Sequence, residues 1–348
     1  MKMIPLGQST TQITNYCLGT MTWGSQTPEA DAFRQMDMAL EAGINIVDTA
    51  EMYPVNPVRA ETVGDTEAIL GCWIAANPAR RADFVLATKV AGRNEGFVRP
   101  GQDITGPTFL EAFEGSLKRL NTDRIDLYQM HWPNRGSYHF RQIWDYDPSG
   151  QDKAATLAHM GDVLDAAESL VKAGKLGHLA LSNDSAWGTA QWLRLSEERG
   201  LPRIASIQNE YSLLCRQFDS DLAELAVNEH VTLLAFSPLA AGLLTGKYQG
   251  GAVPEGSRMS LNETLSGRKT DRADQAVAAY HEIADRHGLD PIHMALAFTV
   301  QRPFPVCSIL GATTSDQLAY ILSGLEVTLS DEVLAEINTT HRAIPMPY

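Results

Sequence analysis

Eight short apolar segments, each followed by a stretch with helical spacing, run the length of the chain and limit what it can become. The strand candidates are residues 16–19, 44–48, 84–89, 125–131, 176–182, 204–208, 231–236 and 306–310. Between them, Phe33, Met36 and Leu40 share a helical face, with Thr27 and Pro28 reading as N-cap and first helical residue. Residues 61–76 are also helical in pattern. Phe109, Phe113, Ser116, Leu117 and Leu120 form another stripe, and Met160, Val163, Leu164, Ala167, Leu170 and Val171 form a third that ends at Gly174. Strand and helix in strict alternation give a parallel sheet. Eight units with no second pattern, and no linker rich in Pro, Gly or Ser, predict an α/β fold: a closed (β/α)₈ TIM barrel, one domain over residues 1–348. Residues 3–15 read as a hairpin around Gly7 that caps something.

Composition removes several function classes. The net charge of the 348 residues is −14, with no long basic run, which argues against nucleic acid or an anionic membrane as partner. Cys17, Cys72, Cys215 and Cys307 show no C-x-x-C pairing and read as reduced thiols. The first residues, MKMIPLGQST, contain no apolar leader, and no run approaches a membrane span. A soluble, cytoplasmic protein is expected, and its oligomeric state is not legible.

Polar residues interrupt three of the strand ends. Asp48 closes residues 44–48 with Tyr53 five positions later; Lys89 closes residues 84–89; His131 closes residues 125–131. Singly, each reads more simply as a cap, a loop aromatic, an ion-pair partner or a core histidine. Together they point to a site, because a barrel gathers successive strand ends into one ring. A phenol titrates near pH ~10 and is a poor acid at neutral pH. A cation beside it stabilises the phenolate, so Lys89 would make Tyr53 a usable proton donor, with Asp48 holding Lys89 and His131 orienting a substrate oxygen. Protonating a developing alkoxide is the work of carbonyl reduction, and that requires a hydride source.

Two long connections, residues 91–107 and 132–153, follow strands and so belong on the carboxyl face. The second carries Trp132, Tyr138, Phe140, Trp144 and Tyr146. With Trp23 and Met52, the residues Trp132, Tyr138 and Trp144 are expected to line a partly apolar substrate pocket.

From about residue 3 to 338 the sequence resembles an aldo-keto reductase. DTAEMY, ATK and DLYQMHWP match the family's Asp-Tyr, Lys and His motifs in family order, between GTMTWG and LGATTSDQL. The chain stands closest to the Tas-like branch, through DTAEMYP, SLKRL, IQNEYSLL and LTGKY. The resemblance implies NADPH bound across the strand ends without a Rossmann fingerprint, and no G-x-G-x-x-G opens a helix here. It implies that Ser182, Asn183 and Gln208 bind the carboxamide and that Phe236 stacks on the nicotinamide. Gly19, Thr20 and Asp48 would approach the ribose and nicotinamide. Ser237, Leu239 and Ala241 would line the pyrophosphate, with Lys247 and Arg258 as cations. Gly311 to Gln317 precedes a helix whose N–H groups could hold a phosphate.

Two departures bear on the cofactor. Gly311 and Gln317 stand where many members carry a Lys and an Arg for the 2′-phosphate, and Tyr320 and Ile321 replace a Glu-Asn pair. Preference for NADPH over NADH would then rest on Thr313, Gln317 and Arg258. The expected activity is reduction of a small aldehyde or ketone with no metal. A metal-dependent barrel hydrolase is disfavoured, since the histidines form no close-spaced ligand set. A cofactor-binding regulatory subunit of the same fold is the remaining alternative, and His131, which some such subunits replace, speaks against it.

Overall fold

The computed structural model describes residues 1–348. Strand β1 (Met3–Pro5) pairs antiparallel with β2 (Gln12–Thr14). The barrel strands are β3 (Tyr16–Gly19), β4 (Ile46–Asp48), β5 (Val85–Val90), β6 (Ile125–Met130), β7 (Leu176–Ser182), β8 (Ile204–Glu210), β9 (Thr232–Phe236) and β10 (Val306–Leu310). All pair in parallel, and β10 returns to β3, so the sheet closes in chain order. This is the expected (β/α)₈ barrel.

The helices alternate with the strands: α1 (Glu29–Glu41), α2 (Asp65–Ala76), α3 (Gly106–Arg119), α4 (Lys153–Lys172), α5 (Ala186–Arg199) and α6 (Asp221–Asn228). The short α7 (Arg258–Leu261), then α8 (Asp271–Arg286) and α9 (Pro291–Val300), lie between β9 and β10, and α10 (Ser315–Leu322) and α11 (Asp331–Ala343) follow β10. Their apolar faces meet the outward side chains of the strands. Tyr128, for example, has the rings of Phe109 and Phe113 each 5.0 Å away. Burying one such side chain contributes about 1.5–3 kcal/mol, which is why helical stripes of modest propensity hold here.

Some element starts differ from expectation. Helix α1 begins at Glu29 with Pro28 at its N-cap, because the Thr27 hydroxyl is engaged elsewhere, with Thr22 and with the Thr313 carbonyl. Helix α2 begins at Asp65 rather than near 61, after Gly64 at φ 93°.

Inside the barrel, Cys17, Ile46, Ala87, Leu127, Ala180, Leu234 and Cys307 form one apolar layer. The β1–β2 hairpin plugs the amino end, with Leu6 and Ile13 in contact with that layer. Gly7 makes the plug possible: its φ is +62°, and a Cβ there would lie 2.7 Å from the Ala205 carbonyl oxygen. Its N–H donates to Thr232 Oγ1. The closed amino end and packed middle leave the carboxyl end as the open face.

Candidate active site

Inward-facing residues recur every second position along a strand. One step beyond the apolar layer, the same faces carry Gly19, Asp48, Lys89, Gln129 and Ser182, with Phe236 at the mouth. Gln208 pairs with Ser182 across β7 and β8 and completes the ring. A polar ring over an apolar floor follows from the sequence pattern itself.

Lys89 is at its centre and has no exposed surface. Its Nζ donates to Asp48 Oδ2 at 2.6 Å, the Thr49 carbonyl at 2.8 Å and Tyr53 Oη at 3.3 Å, so all three ammonium hydrogens are used. Asp48 Oδ1 accepts from Gln129 Nε2 at 2.9 Å and Gln208 Nε2 at 2.8 Å. The His131 ring lies 5.7 Å from that of Tyr53, at 76°. The structure therefore brings together the four residues read from the strand ends.

Burial disfavours the Lys89 ammonium, but Asp48 and Tyr53 beside it more than offset this and leave its pKa raised. For Tyr53, burial raises the pKa more than Lys89 lowers it, so the net direction is upward, opposite to the sequence expectation. The phenol stays protonated through neutral pH and is a hydrogen donor. Burial, then Lys89, holds His131 well below the usual histidine range, so its ring is neutral. His131 Nδ1 is buried without a protein partner.

The remaining expected residues fall as follows. The Thr20 hydroxyl donates to the Asp48 carbonyl, and Gly19 lacks room for a side chain because a Cβ would meet Ile309 Cγ2 at 2.6 Å. Ser182 Oγ donates to the Gln208 carbonyl. Asn183 Nδ2 donates to the His131 carbonyl and to Ser182 Oγ, while Asn183 Oδ1 is buried and unpartnered. Phe236 is half-buried at the mouth. Beyond it, Ser237 at φ 54° and Ala241 at φ 57° hold left-handed backbone without being glycine, flanking Leu239. Strain of this kind concentrates at functional sites.

Arg258, half-buried on α7, has no carboxylate or hydrogen-bond partner, and burial together with Arg268 pushes its pKa down to about 10. The Lys247 ammonium lies 5.2 Å from the Tyr248 ring and forms no ion pair. At the last motif, Gly311 is exposed and the Thr313 hydroxyl donates to Gln317 Oε1 at 3.0 Å. The α10 N-terminus is already engaged: Ser315 N–H and hydroxyl donate to Asp31, and Gln317 N–H to the Thr314 hydroxyl. Asp31 therefore competes with any phosphate for the Ser315 donors of this turn.

The expected pocket aromatics divide. Trp23 is wholly buried, with its indole N–H on Gln35 of α1 and its carbonyl on Thr66 of α2, so it belongs to the core and not to a pocket. The chain turns back sharply after β3, where Trp23 N–H reaches the Thr20 carbonyl. Met52 is buried near Tyr53. Trp132 lies 4.8 Å from the His131 ring and lines a cavity of about 440 Å³ with Arg135, Gln151, His159, Asp184 and Trp192. Tyr138 packs on His139 and Tyr146, and Trp144 is 67% exposed.

Sequence reasoning missed several supporting residues. Gln129, two positions before His131, shares its inward face and could have been found by extending the alternation from Leu127. Glu51 accepts from Ala91 N–H and from Arg99 Nη1, each at 2.5 Å, tying residues 91–101 to the Asp48–Tyr53 segment. Glu210 ends β8 and accepts from Arg268 at 2.6 and 2.9 Å, Arg141 at 3.0 Å and Tyr348 Oη at 3.1 Å. That node fastens the connections after β6 and β9 to the barrel mouth. The one group of side chains that could ligate a metal, His287 just past α8 with Glu332 and Glu336 on α11, shares nothing with Asp48, Tyr53, Lys89 and His131.

A parallel barrel with a buried Lys–Asp pair against a tyrosine and a neutral histidine defines a class of oxidoreductase. A model of the aldo/keto reductase family matches residues 15–341, and the chain belongs to that family of NAD(P)H-dependent enzymes. Protein tas of Escherichia coli (strain K12) is 44% identical over 342 residues, covering 97% of each chain. An uncharacterized oxidoreductase, YrpG, of Bacillus subtilis (strain 168) is 31% identical, covering 96% of this chain and 94% of its own. A putative voltage-gated potassium channel subunit beta of Schizosaccharomyces pombe is 28% identical, covering 98% and 93%.

Proposed function

We propose that this protein is an NADPH-dependent carbonyl reductase that converts small aldehydes or ketones to alcohols. The observation that carries the reading is the placement of Lys89 Nζ between Asp48 Oδ2 and Tyr53 Oη, beside a neutral imidazole. Tyr53 donates its proton to the substrate oxygen as negative charge develops there, and Lys89 stabilises the phenolate left behind. His131 directs the carbonyl toward Tyr53 by hydrogen bond. Asp48 fixes Lys89 and compensates its charge in a site where an unpaired ammonium would be costly.

The chain fits a reduced nicotinamide cofactor, which when bound supplies the hydride. Asn183 Oδ1 is a buried acceptor without a donor, and the carboxamide would provide one. Phe236 offers a ring face at the mouth, and the turn around Leu239, left-handed at Ser237 and Ala241, would present backbone to the pyrophosphate. Lys247 and Arg258 are cations without anionic partners, which suits them to phosphate. Thr313 and Gln317 contribute only neutral groups, so Arg258 carries most of the preference for NADPH over NADH. We read residues 1–348 as one catalytic domain acting in the cytoplasm without a metal. Unpaired Cys17, Cys72, Cys215 and Cys307 support a reducing compartment.

The relative described as a channel subunit favours a second reading, a cofactor-binding regulatory subunit with little turnover. A panel of aldehydes and ketones, followed by loss of reduced-nicotinamide absorbance with NADPH and with NADH, separates the two. Multiple turnovers with NADPH support the reductase; oxidation of bound cofactor limited to one slow turnover across the panel supports the subunit.

A further inference from the structure

Gln129 is wholly buried in the barrel mouth, on the inward face of β6 between Leu127 and His131. Packing alone does not call for an amide there, since the layer below is filled by Leu127, Ala180 and Leu234. A buried amide is costly unless its donors and acceptor are bonded. Here both the nitrogen and the oxygen of the amide find a partner within the site itself. Gln129 Nε2 donates to Asp48 Oδ1 at 2.9 Å, and Gln129 Oε1 accepts from Gln208 Nε2 at 3.1 Å. Gln208 Nε2 also donates to Asp48 Oδ1 at 2.8 Å, which closes a triangle of two amides over one carboxylate oxygen.

We propose that Gln129 is a positioning residue that couples the Asp48–Lys89 pair to the cofactor-facing amide of Gln208, an inference that rests on the reductase reading above. Its first effect is on orientation. Both amide hydrogens of Gln208 are committed, one to Asp48 and one to Gln129, so Gln208 Oε1 is the end left without a protein donor. Flipping that amide would set its oxygen against the carboxylate and against Gln129 Oε1. Gln208 is thereby held as an acceptor for a carboxamide N–H, alongside Asn183 Oδ1. With Gln129 gone, one hydrogen bond in place of two would hold that orientation.

The second effect is on charge. Asp48 gives Oδ1 to two amide N–H groups and Oδ2 to Lys89. Removing the Gln129 donor leaves more of the carboxylate's charge for the ammonium and draws Lys89 away from Tyr53, its longest contact. The phenolate loses stabilisation and Tyr53 titrates higher. Of the other titratable groups nearby, Cys17 on β3 faces the pair and His131 after β6 faces Lys89, while Arg258 on α7 faces Tyr53 and Cys307 on β10 faces Cys17. None of them donates a hydrogen bond to Asp48 Oδ1, so none replaces Gln129.

Two variants of the full chain test this. Gln129→Met keeps the length of the side chain and removes both hydrogen bonds. NADPH and NADH affinity, read by quenching of intrinsic fluorescence, should fall together by about 3–10-fold, the worth of one hydrogen bond. The rise of alcohol oxidation with pH, which requires the Tyr53 phenolate, should move upward by as much as about one pH unit. Gln129→Glu keeps the test open if the first variant does not fold. When protonated, its carboxyl group can donate to Asp48 and accept from Gln208; when ionised, it opposes Asp48. Its kcat/KM for reduction should therefore climb as pH is lowered from about 8 to about 6, whereas that of the parent, with Tyr53 held protonated and His131 neutral, should stay level. Unchanged affinities and an unmoved oxidation profile in Gln129→Met, or a parental profile in Gln129→Glu, overturn the coupling. If the parent binds neither cofactor, the reductase reading fails first, and the proposal with it.

Discussion

Lys89 and Asp48 are joined at 2.6 Å in a site that leaves the lysine no exposed surface and the aspartate 2%. In that setting the pair matters for stability as well as for its proposed catalytic role, because removing either partner leaves a charge inside the barrel. Asp48→Asn should therefore abolish turnover and also lower unfolding free energy by about 3–5 kcal/mol. The double variant Asp48→Asn with Lys89→Met should recover much of that stability and none of the activity. Chemical denaturation of the parent, Asp48→Asn, Lys89→Met and the double variant checks it, and additive losses in the double variant would refute the pairing argument.

Phe236 is expected to act on the part of the cofactor that NADPH and NADH share. Phe236→Ala should weaken both by the same amount, about 1–3 kcal/mol for a lost aromatic contact. Titration of each cofactor reads this directly. A loss confined to one of them would argue against stacking.

Arg258 is expected to act on the part they do not share. A charge-assisted hydrogen bond contributes about 1.5–3 kcal/mol, or roughly 10–100-fold in affinity. Arg258→Ala should weaken NADPH by that factor, leave NADH nearly unchanged, and show a smaller effect at high salt. Equal weakening of both cofactors would place Arg258 on the pyrophosphate.

Acid should destabilise the fold through its buried histidines. His131, His139 and His159 are each held below the ordinary histidine range, burial being the first cause in every case. The unfolded chain binds protons below about pH 6.5 that the folded chain refuses, so stability rises with pH through that window and is lost as pH falls below it. Each such histidine contributes a slope of up to about 1.4 kcal/mol per pH unit. His139 Nε2 lies 2.9 Å from the Asp184 carbonyl, a bond that Gln can supply without titrating. His139→Gln should narrow the gap between thermal midpoints at pH 5.5 and 7.5, and an unchanged gap would exclude His139 as a source.

Much of this architecture is legible in the sequence because a buried parallel strand is a short apolar run and a covering helix has a stripe. The four site residues show themselves as polar side chains at, or just beyond, the points where such runs should end. What is less legible depends on contacts between distant residues. Glu210 and Arg268 are 58 positions apart, and nothing local in either marks the ion pair. Gln129 sits inside the run IDLYQM and reads as one more strand residue until its face is compared with that of His131. Trp23 follows a strand end, as pocket residues do, but the turn after β3 sends its indole into the core against α1. The rise in the Tyr53 pKa has the same origin: sequence identifies the cation beside the phenol, whereas burial is a property of the assembled mouth.

In the proposed reaction Tyr53 gives up the proton in carbonyl reduction. Single-turnover oxidation of bound NADPH by a reactive aldehyde, compared between the parent and Tyr53→Phe, tests it most directly, with cofactor affinity measured in parallel. Tyr53→Phe should oxidise bound NADPH about 10²–10⁴-fold more slowly at unchanged NADPH affinity, and oxidation at the parental rate would rule Tyr53 out as the donor.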